Sequence, residues 1–325
     1  MILSFGLSPA WQQILVFDSV RIDRVNRART AKWCASGKVF NAGVAVHTLG
    51  GPGLAMAPVG GAPRAPMEEE FNALGMGYRC LETRAGTRVC TTIIDKTAGT
   101  ITELVEEGRP LAPDELERFH AAWQEEAGRA KAAIVTGSLP RGVPVSFYRA
   151  LLQGQHCPMV LDFRGDGLLS VLDLEPLVVK PNREELAKTV GYSLNEDRAL
   201  LSAMRSLNRR GAKWVVVTQG AGPVWVSSAT ECYRMTPPAV DSTELINPIG
   251  SGDAMAGAIA WRIGNGPIDN GRMNNGTTDN GRVVVEAVRL GIAAAVQNLR
   301  QLLPCRLDAA TLVSESNGIS VERLE

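Results

Sequence analysis

The sequence carries no net charge, because its 34 basic and 34 acidic side chains cancel at neutral pH. The chain therefore lacks the long-range field that steers proteins onto nucleic acids or anionic membranes. Aromatic side chains make up only 5% of the 325 residues. That is too few for the stacking platforms of proteins that bind single-stranded nucleic acid. We therefore expect neither a nucleic acid nor a membrane as a partner.

Long apolar runs and clustered cysteines are also lacking. No stretch approaches the ~18 uninterrupted apolar residues that a membrane span needs. The six cysteines include no CxxC pair and are too sparse for a disulfide scaffold. The N-terminus has no basic segment of the kind that opens a signal peptide. These features predict a cytoplasmic protein.

Several well-known site motifs are missing. The sequence contains no GxxxxGK[ST], GxGxxG, GxSxG or HExxH pattern. Its three histidines are too dispersed to suggest a metal cluster. Walker-type nucleotide binding, dinucleotide-dependent redox chemistry, serine hydrolysis of the α/β-hydrolase type and zinc hydrolysis are therefore disfavoured.

Short apolar runs alternate with segments of helical period. This alternation predicts an α/β fold, in which a mostly parallel central sheet lies between two helical layers. In such sheets ligands bind at the carboxyl ends of the strands. The predicted strands are 2–7, 132–136, 159–163, 177–180 and 214–219, and the clearest predicted helices are 113–130, 183–190 and 197–209.

Two regions depart from this pattern. Residues 12–33 and 84–107 contain alternating apolar and polar positions typical of antiparallel strands, and we predict that they form a small β lid. Residues 264–282 repeat the tetrapeptide Asp-Asn-Gly-Arg and contain little apolar surface. Asn-Gly pairs favour turns, so we interpret this segment as a flexible surface insertion in a single domain spanning 1–325.

The most informative segment is 247–253, where a glycine turn runs directly into a strong helix former. Free backbone N–H groups at a helix start attract anions, and glycines let that backbone approach a ligand closely. Asp253 lies in the first turn, where the helix dipole favours its charged form. An anion-binding turn beside a carboxylate base suits phosphoryl transfer. The structural alternative is an ordinary Asp near a helix N-cap.

Four further segments follow predicted strands or glycine turns in a characteristic order: 36–45, 136–140, 180–186 and 218–222. Together with 247–253 they resemble the ribokinase-like (PfkB) carbohydrate kinases, and most closely the 1-phosphofructokinase and tagatose-6-phosphate kinase group. The likeness extends to residues 7–12, 25–27, 87–88 and 137–144. It covers nearly the whole chain.

The resemblance implies a ribokinase-like fold and an ATP-dependent kinase that requires Mg²⁺. The acceptor would be a phosphorylated ketohexose such as fructose 1-phosphate, fructose 6-phosphate or tagatose 6-phosphate. Asp253 would be the catalytic base. The anion hole would comprise Gly250, Ser251 and Gly252. The sugar-phosphate pocket would comprise Gln12, Gly37, Lys38, Asn41, Arg88 and Ser138, with Arg27 reaching in from the lid of a homodimer partner.

The nucleotide side follows from the same resemblance. Asn182 and Glu185 match an NxxE pattern that helps to hold Mg²⁺, largely through water. The positions lining the nucleotide are Lys180, Asn182, Thr218, Gly220 and Gly222. Each assignment has a structural alternative: Lys38 and Arg88 as solvated surface charges, and Asn182 with Glu185 as an ordinary helix start.

The sequence departs from the family pattern mainly on the sugar side. Gln12 replaces an Asp, Val39 replaces a glycine and Pro248 replaces a Thr. We expect Val39 to narrow the space beside the sugar and to disfavour a positive φ. Two alternatives to the leading function therefore stay open. One is a catalytically weakened sugar-phosphate-binding regulator, and the other is a kinase for another sugar or a nucleoside.

Overall fold

A ten-stranded sheet forms the centre of the fold in this computed structural model, which describes residues 1–266 and 278–324. The strand order is β14-β13-β12-β11-β10-β9-β8-β1-β4-β5, and the seven strands from β11 to β5 are parallel. The bounds are β1 Ile2–Phe5, β4 Gly53–Val59, β5 Tyr78–Glu82, β8 Ala132–Thr136, β9 Met159–Asp162, β10 Val178–Val179, β11 Trp214–Val217, β12 Val224–Ser227, β13 Cys232–Thr236 and β14 Ser320–Arg323.

Helices cover both faces of this sheet. Side chains of alternate strand residues point to opposite faces, so the sheet separates two apolar cores: Ile2 packs on one side, and Leu3 and Phe5 face the other. The fold is thus the predicted three-layer α/β/α sandwich. The helices are α1 Lys38–Thr48, α2 Arg64–Leu74, α3 Pro113–Ala127, α4 Ser146–Leu152, α5 Asp166–Leu169, α6 Arg183–Val190, α7 Asp197–Arg209, α8 Ser251–Gly264, α9 Thr278–Leu299 and α10 Ala309–Asn317.

A second, four-stranded sheet stands beside the first. Its order is β3-β2-β6-β7, with β2 Ala10–Phe17, β3 Thr30–Ser36, β6 Arg88–Asp95 and β7 Thr100–Val105. Its strands come from the two segments that the alternating pattern singles out, and all four belong to one sheet. β2 and β6 run parallel, whereas the outer pairs are antiparallel.

Small residues set the position of α8 against α1. A Cβ atom on Gly257 would lie 2.6 Å from the Cβ of Ala45 and 2.8 Å from the carbonyl oxygen of Ala42. The two helices therefore pack at a distance that only a glycine permits. This contact matters for function, because α1 and α8 both begin at the same end of the sheet and each carries candidate site residues in its first turns.

The segment predicted as an insertion, 264–282, is only partly described, because 267–277 lie outside the described residues. The described ends of this segment are helical, which differs from the predicted flexible insertion. Gly264 is the last residue of α8, and α9 begins at Thr278, so Asn280 and Gly281 are helical. Helix α9 packs along α8 and buries Val284 almost completely. That burial outweighs the local preference of an Asn-Gly pair for a turn.

Within the described part of the chain, none of the helices combines the length and the apolar composition that crossing a bilayer requires.

Candidate active site

A cavity of about 430 Å³ opens at the carboxyl ends of the parallel strands, between the large sheet and the smaller one. Its walls come from the start of α1, the start of α8, the ends of β9 and β10, and the lid strands β2, β6 and β7. Most of the sequence-predicted residues line it: Gln12, Gly37, Lys38, Asn41, Arg88, Lys180, Asn182, Glu185, Thr218, Gly250, Ser251, Gly252 and Asp253.

The turn before α8 is shaped by Gly250. Its φ of 87° lies in the left-handed region, and a Cβ there would come within 2.7 Å of Pro304. The turn directs the start of α8 into the cavity, and first-turn N–H groups such as that of Gly252 have no acceptor within the helix. The arrangement can bind an anion.

Asp253 lies in the first turn of α8 and is only 7% exposed. Its Oδ2 accepts a hydrogen bond of 2.8 Å from Nδ2 of Asn41. Burial raises the pKa of Asp253 to about 6, and the nearby Asp162 carboxylate adds to the rise. Lys38, Asn41 and Lys180 oppose it by favouring the charged form. A carboxylate with such a pKa is ionised at neutral pH and still basic enough to accept a proton.

Two lysines converge on one buried carboxylate at the floor of the cavity. Asp162 Oδ1 lies 3.4 Å from Nζ of Lys38 and 3.3 Å from Nζ of Lys180. Burial alone would raise the pKa of Asp162, but the two ammonium groups lower it below its ordinary value. Burial would likewise lower the pKa of Lys38, but the carboxylates of Asp162, Asp253 and Glu185 raise it above its ordinary value. Lys38 is therefore a cation held at the cavity wall by neighbouring carboxylates, although its side chain is still 37% exposed.

Asn182 and Glu185 form the start of α6. Asn182 Oδ1 accepts from the backbone N–H of Glu185 at 2.8 Å, and Glu185 Oε2 accepts from the backbone N–H of Asn182 at 3.0 Å. This capping box stabilises the helix end. The other carboxylate oxygen of Glu185, Oε1, lies 3.6 Å from Nζ of Lys38. The two residues thus have a structural role while Glu185 also lines the cavity.

Arg88 lies at the base of the lid. Its guanidinium group donates hydrogen bonds to the carbonyl oxygens of Ser8, Pro9 and Glu106, at 3.2, 3.3 and 3.0 Å. These bonds tie β6 to the loop before β2 and hold the cation at the wall of the cavity.

Four predicted site residues do not line this cavity. Arg27 lies on the exposed loop between β2 and β3, and Ser138 is exposed in the loop after β8, where its carbonyl oxygen accepts from Ser8 Oγ. Gly220 and Gly222 lie in the loop after β11, of which only Thr218 reaches the cavity wall.

The expectation for Val39 is wrong. Val39 is the second residue of α1, and its side chain is buried in the core instead of lining the cavity. The positive φ falls on Gly37, at 81°. Gly37 precedes α1, so Val39 needs only the helical backbone conformation that valine adopts readily.

Two site residues escaped the sequence analysis. Asp162 ends the buried strand β9, and its position at the carboxyl end of a strand was a signal that could have identified it. Asn298, near the end of α9, is fully buried and holds the turn before α8. Its Nδ2 donates to Ile249 O at 2.9 Å and to Ser251 Oγ at 3.0 Å. No local pattern in the sequence marks Asn298.

Comparison with known proteins identifies the same family that the sequence motifs resemble. The model of the family described as pfkB family carbohydrate kinase matches residues 12–306. Phosphofructokinase-2 from Escherichia coli, solved in complex with fructose-6-phosphate, aligns with a TM-score of 0.81 at 23% identity, over 97% of this chain and 98% of that chain. A Thermotoga maritima protein described as a possible 1-phosphofructokinase aligns with a TM-score of 0.81 at 18% identity, over 100% of this chain and 99% of that chain. These structures share the fold.

Proposed function

Because this chain belongs to the pfkB family of carbohydrate kinases, and is thus a phosphotransferase, we propose that it transfers the γ-phosphoryl group of ATP to a phosphorylated ketohexose. The substrate would be fructose 1-phosphate, fructose 6-phosphate or tagatose 6-phosphate, and Asp253 would be the general base. The observation that carries the proposal is the buried Asp253 carboxylate at the anion-binding start of α8, beside Lys38 and Lys180.

Proton removal is the task of Asp253. Its Oδ2 is held by Asn41, so the carboxylate is oriented before the sugar binds. The base accepts the proton of the attacking hydroxyl as the oxygen–phosphorus bond forms. A pKa near 6 makes the ionised, proton-accepting form dominant at neutral pH.

Charge stabilisation is the task of the α8 N-terminus and Lys180. Gly252 and Lys180 both line the cavity, and a Cβ atom on Gly252 would lie 3.6 Å from Nζ of Lys180, so this ammonium group lies close to the start of α8. Positive charge and backbone donors on one side of the moving phosphoryl group stabilise its transition state. Arg88 and Lys38 would bind the phosphate already present on the sugar.

Magnesium would be held on the Glu185 side of the cavity. Among the described residues no cluster of three acidic, His or Cys side chains could enclose a metal ion. Mg²⁺ usually keeps several waters and binds through one or two carboxylates together with the phosphates of its substrate, and Glu185 supplies a carboxylate with an oxygen that the capping box does not use. When bound, the ion would neutralise charge on the ATP phosphates.

The decisive experiment is a screen of ATP consumption against a panel of sugar phosphates, free sugars and nucleosides, with Asp253→Asn as the matched inactive control. We expect turnover with one of the phosphoketoses and none with the variant. Turnover of an unphosphorylated sugar or a nucleoside would show that the proposed phosphoketose is not the acceptor. If calorimetry shows that a sugar phosphate binds but no substrate is turned over, the alternative of a catalytically weakened sugar-phosphate-binding regulator is favoured instead.

We also propose that the lid pairs with the lid of a second copy. Gln12 faces the cavity, so its neighbour Trp11 lies on the opposite face of the lid, where it is half-buried against the core and stacks on Trp33 with ring centroids 5.7 Å apart. Trp33 is 43% exposed and Leu104 is 55% exposed on this face. A dimer would cover these rings and bring Arg27 to the partner's cavity. Sedimentation should show a dimer at micromolar concentration and a monomer for Trp33→Glu, whereas Tyr192→Glu, on an exposed site away from the lid, should leave the dimer intact.

A further inference from the structure

The amide of Gln12 has a single defined orientation. The side chain is buried in the lid strand β2, and its Nε2 donates to the carbonyl oxygen of Gln13 at 3.3 Å and to Oγ1 of Thr92 at 2.8 Å. A backbone carbonyl oxygen can only accept a hydrogen bond. The amide atom that faces the Gln13 carbonyl must therefore be the nitrogen, Nε2. The Thr92 hydroxyl, which contacts the same nitrogen, accepts a hydrogen bond from it.

The other end of the amide is left for a ligand. None of the described residues donates a hydrogen bond to Oε1 of Gln12, although Gln12 lines the cavity. The oxygen is not fully buried, because it is absent from the set of fully buried side-chain atoms without a partner among the described residues. The oxygen therefore borders the cavity, and it offers a neutral hydrogen-bond acceptor there.

Thr92 is the side chain to which the Gln12 amide nitrogen donates. It lies on β6, two residues after Cys90, which is the direct partner of Gln12 in the sheet. Alternate residues of a strand share a face, so Thr92 lies on the cavity side of the lid beside Gln12. Thr92 is fully buried, so its hydroxyl has no contact with bulk water.

We propose that Thr92 is a positioning residue that holds the Gln12 amide with its oxygen toward the cavity, where it accepts a hydrogen bond from one hydroxyl of the sugar. The inference rests on the proposed function, and it deepens it by naming a specificity element. A substrate that presents a hydroxyl here gains a hydrogen bond. A deoxy sugar, or one presenting a carbonyl or carboxylate oxygen, leaves the Gln12 oxygen unpaired and is selected against.

The test compares Thr92→Val with Thr92→Ser, using the best sugar substrate found in the wild-type screen. Valine keeps the shape of threonine but cannot accept from Nε2, whereas serine keeps the hydroxyl. We expect Thr92→Val to raise the KM for the sugar by about 3- to 10-fold, the range for one lost hydrogen bond, with the KM for ATP unchanged. Thr92→Ser should stay within about 2-fold of wild type.

A double-mutant cycle adds a readout that simple loss of packing would not move. Gln12→Met removes the hydrogen-bond acceptor, and we expect Thr92→Val to have no further effect on the sugar KM in that background. An unchanged sugar KM in Thr92→Val overturns the inference while leaving the proposed kinase intact. Equal defects in Thr92→Val and Thr92→Ser, or additive effects in the cycle, also overturn it. A wild-type protein that turns over no substrate overturns both proposals.

Discussion

Asn41 and Asp253, 212 residues apart in the chain, are joined by a hydrogen bond of 2.8 Å from the Asn41 amide to the Asp253 carboxylate. The amide is itself oriented, because its Oδ1 accepts from the hydroxyl of Ser36 at 3.0 Å. The bond links the start of α1 to the start of α8. It favours the ionised form of Asp253 and so limits the rise of its pKa. The candidate base is thus tuned by a residue on another helix.

Replacing Asp253 by Asn should abolish catalysis while preserving nucleotide binding. Asn is nearly isosteric but cannot accept the hydroxyl proton, so we expect kcat to fall by at least ~10²-fold. Steady-state kinetics and ATP titration by calorimetry provide the two readouts. Activity within a few-fold of wild type would exclude Asp253 as the base.

The rate should depend on pH through Asp253. A base must be deprotonated to act, and the pKa of Asp253 is raised to about 6. We therefore expect kcat/KM to rise with pH through about 6 and to level off above it. Asn41→Leu removes a hydrogen bond to the charged form, so the acid limb should move to higher pH. An acid limb that stays in place in this variant would contradict the tuning role of Asn41.

The ion pair beneath the cavity should contribute to stability. Asp162→Asn leaves two lysines without their shared carboxylate, and Lys180 is almost fully buried. Breaking a buried pair in this way costs about 3 kcal/mol in the free energy of unfolding, measurable by urea titration at pH 7. Asp114→Asn, which breaks an exposed pair with Arg84, should have a much smaller effect.

The same pair predicts a pH dependence of stability with a definite sign. The pKa of Asp162 is lowered in the folded protein, so its contribution is present above the ordinary pKa of an Asp, ~3.9. It is lost as the pH falls through the folded-state pKa. The stability difference between wild type and Asp162→Asn should therefore shrink in acid, and a difference that grows there would contradict the pairing.

Asn298→Ala should impair both stability and catalysis. Asn298 satisfies the Ile249 carbonyl and the Ser251 hydroxyl, and its Oδ1 accepts from the backbone N–H of Cys305 at 2.7 Å. Buried groups left unsatisfied cost about 1–3 kcal/mol, and the turn before α8 loses its anchor. We expect kcat to fall at least 10-fold in enzyme that remains folded, because misplacement of catalytic groups is costly.

Asn208→Ala is the matched control for this prediction. Asn208 is a buried amide on α7 that bonds to Ser227 and to the Ala212 carbonyl, outside the cavity wall. Thermal unfolding should show that both variants are destabilised, and only Asn298→Ala should lose kcat. Equal losses of kcat in the two variants would mean that Asn298 has no specific role at the site.

The alternation of strands and helices, and hence the α/β fold, was predictable from the sequence because it depends on local periodicity. The predicted strand 132–136 matches β8, and the other four overlap β1, β9, β10 and β11 with ends that differ by at most two residues. The start of α8 was equally predictable, since a glycine turn and its helix are encoded within a few residues. The ordered motifs also indicated most of the cavity wall, from Lys38 to Asp253.

Only the tertiary structure decided which side chains act together. Lys38, Asp162 and Lys180 come from three separate elements, and their charges become coupled only where the ends of β9 and β10 meet the start of α1. Thr92 accepts a hydrogen bond from Gln12, and Asn298 donates hydrogen bonds to the turn before α8. No local pattern specifies these distant partners. Sequence periodicity records the environment of each residue along its own helix or strand. The partner of a buried polar group depends on how these elements pack, and packing is a property of the whole chain.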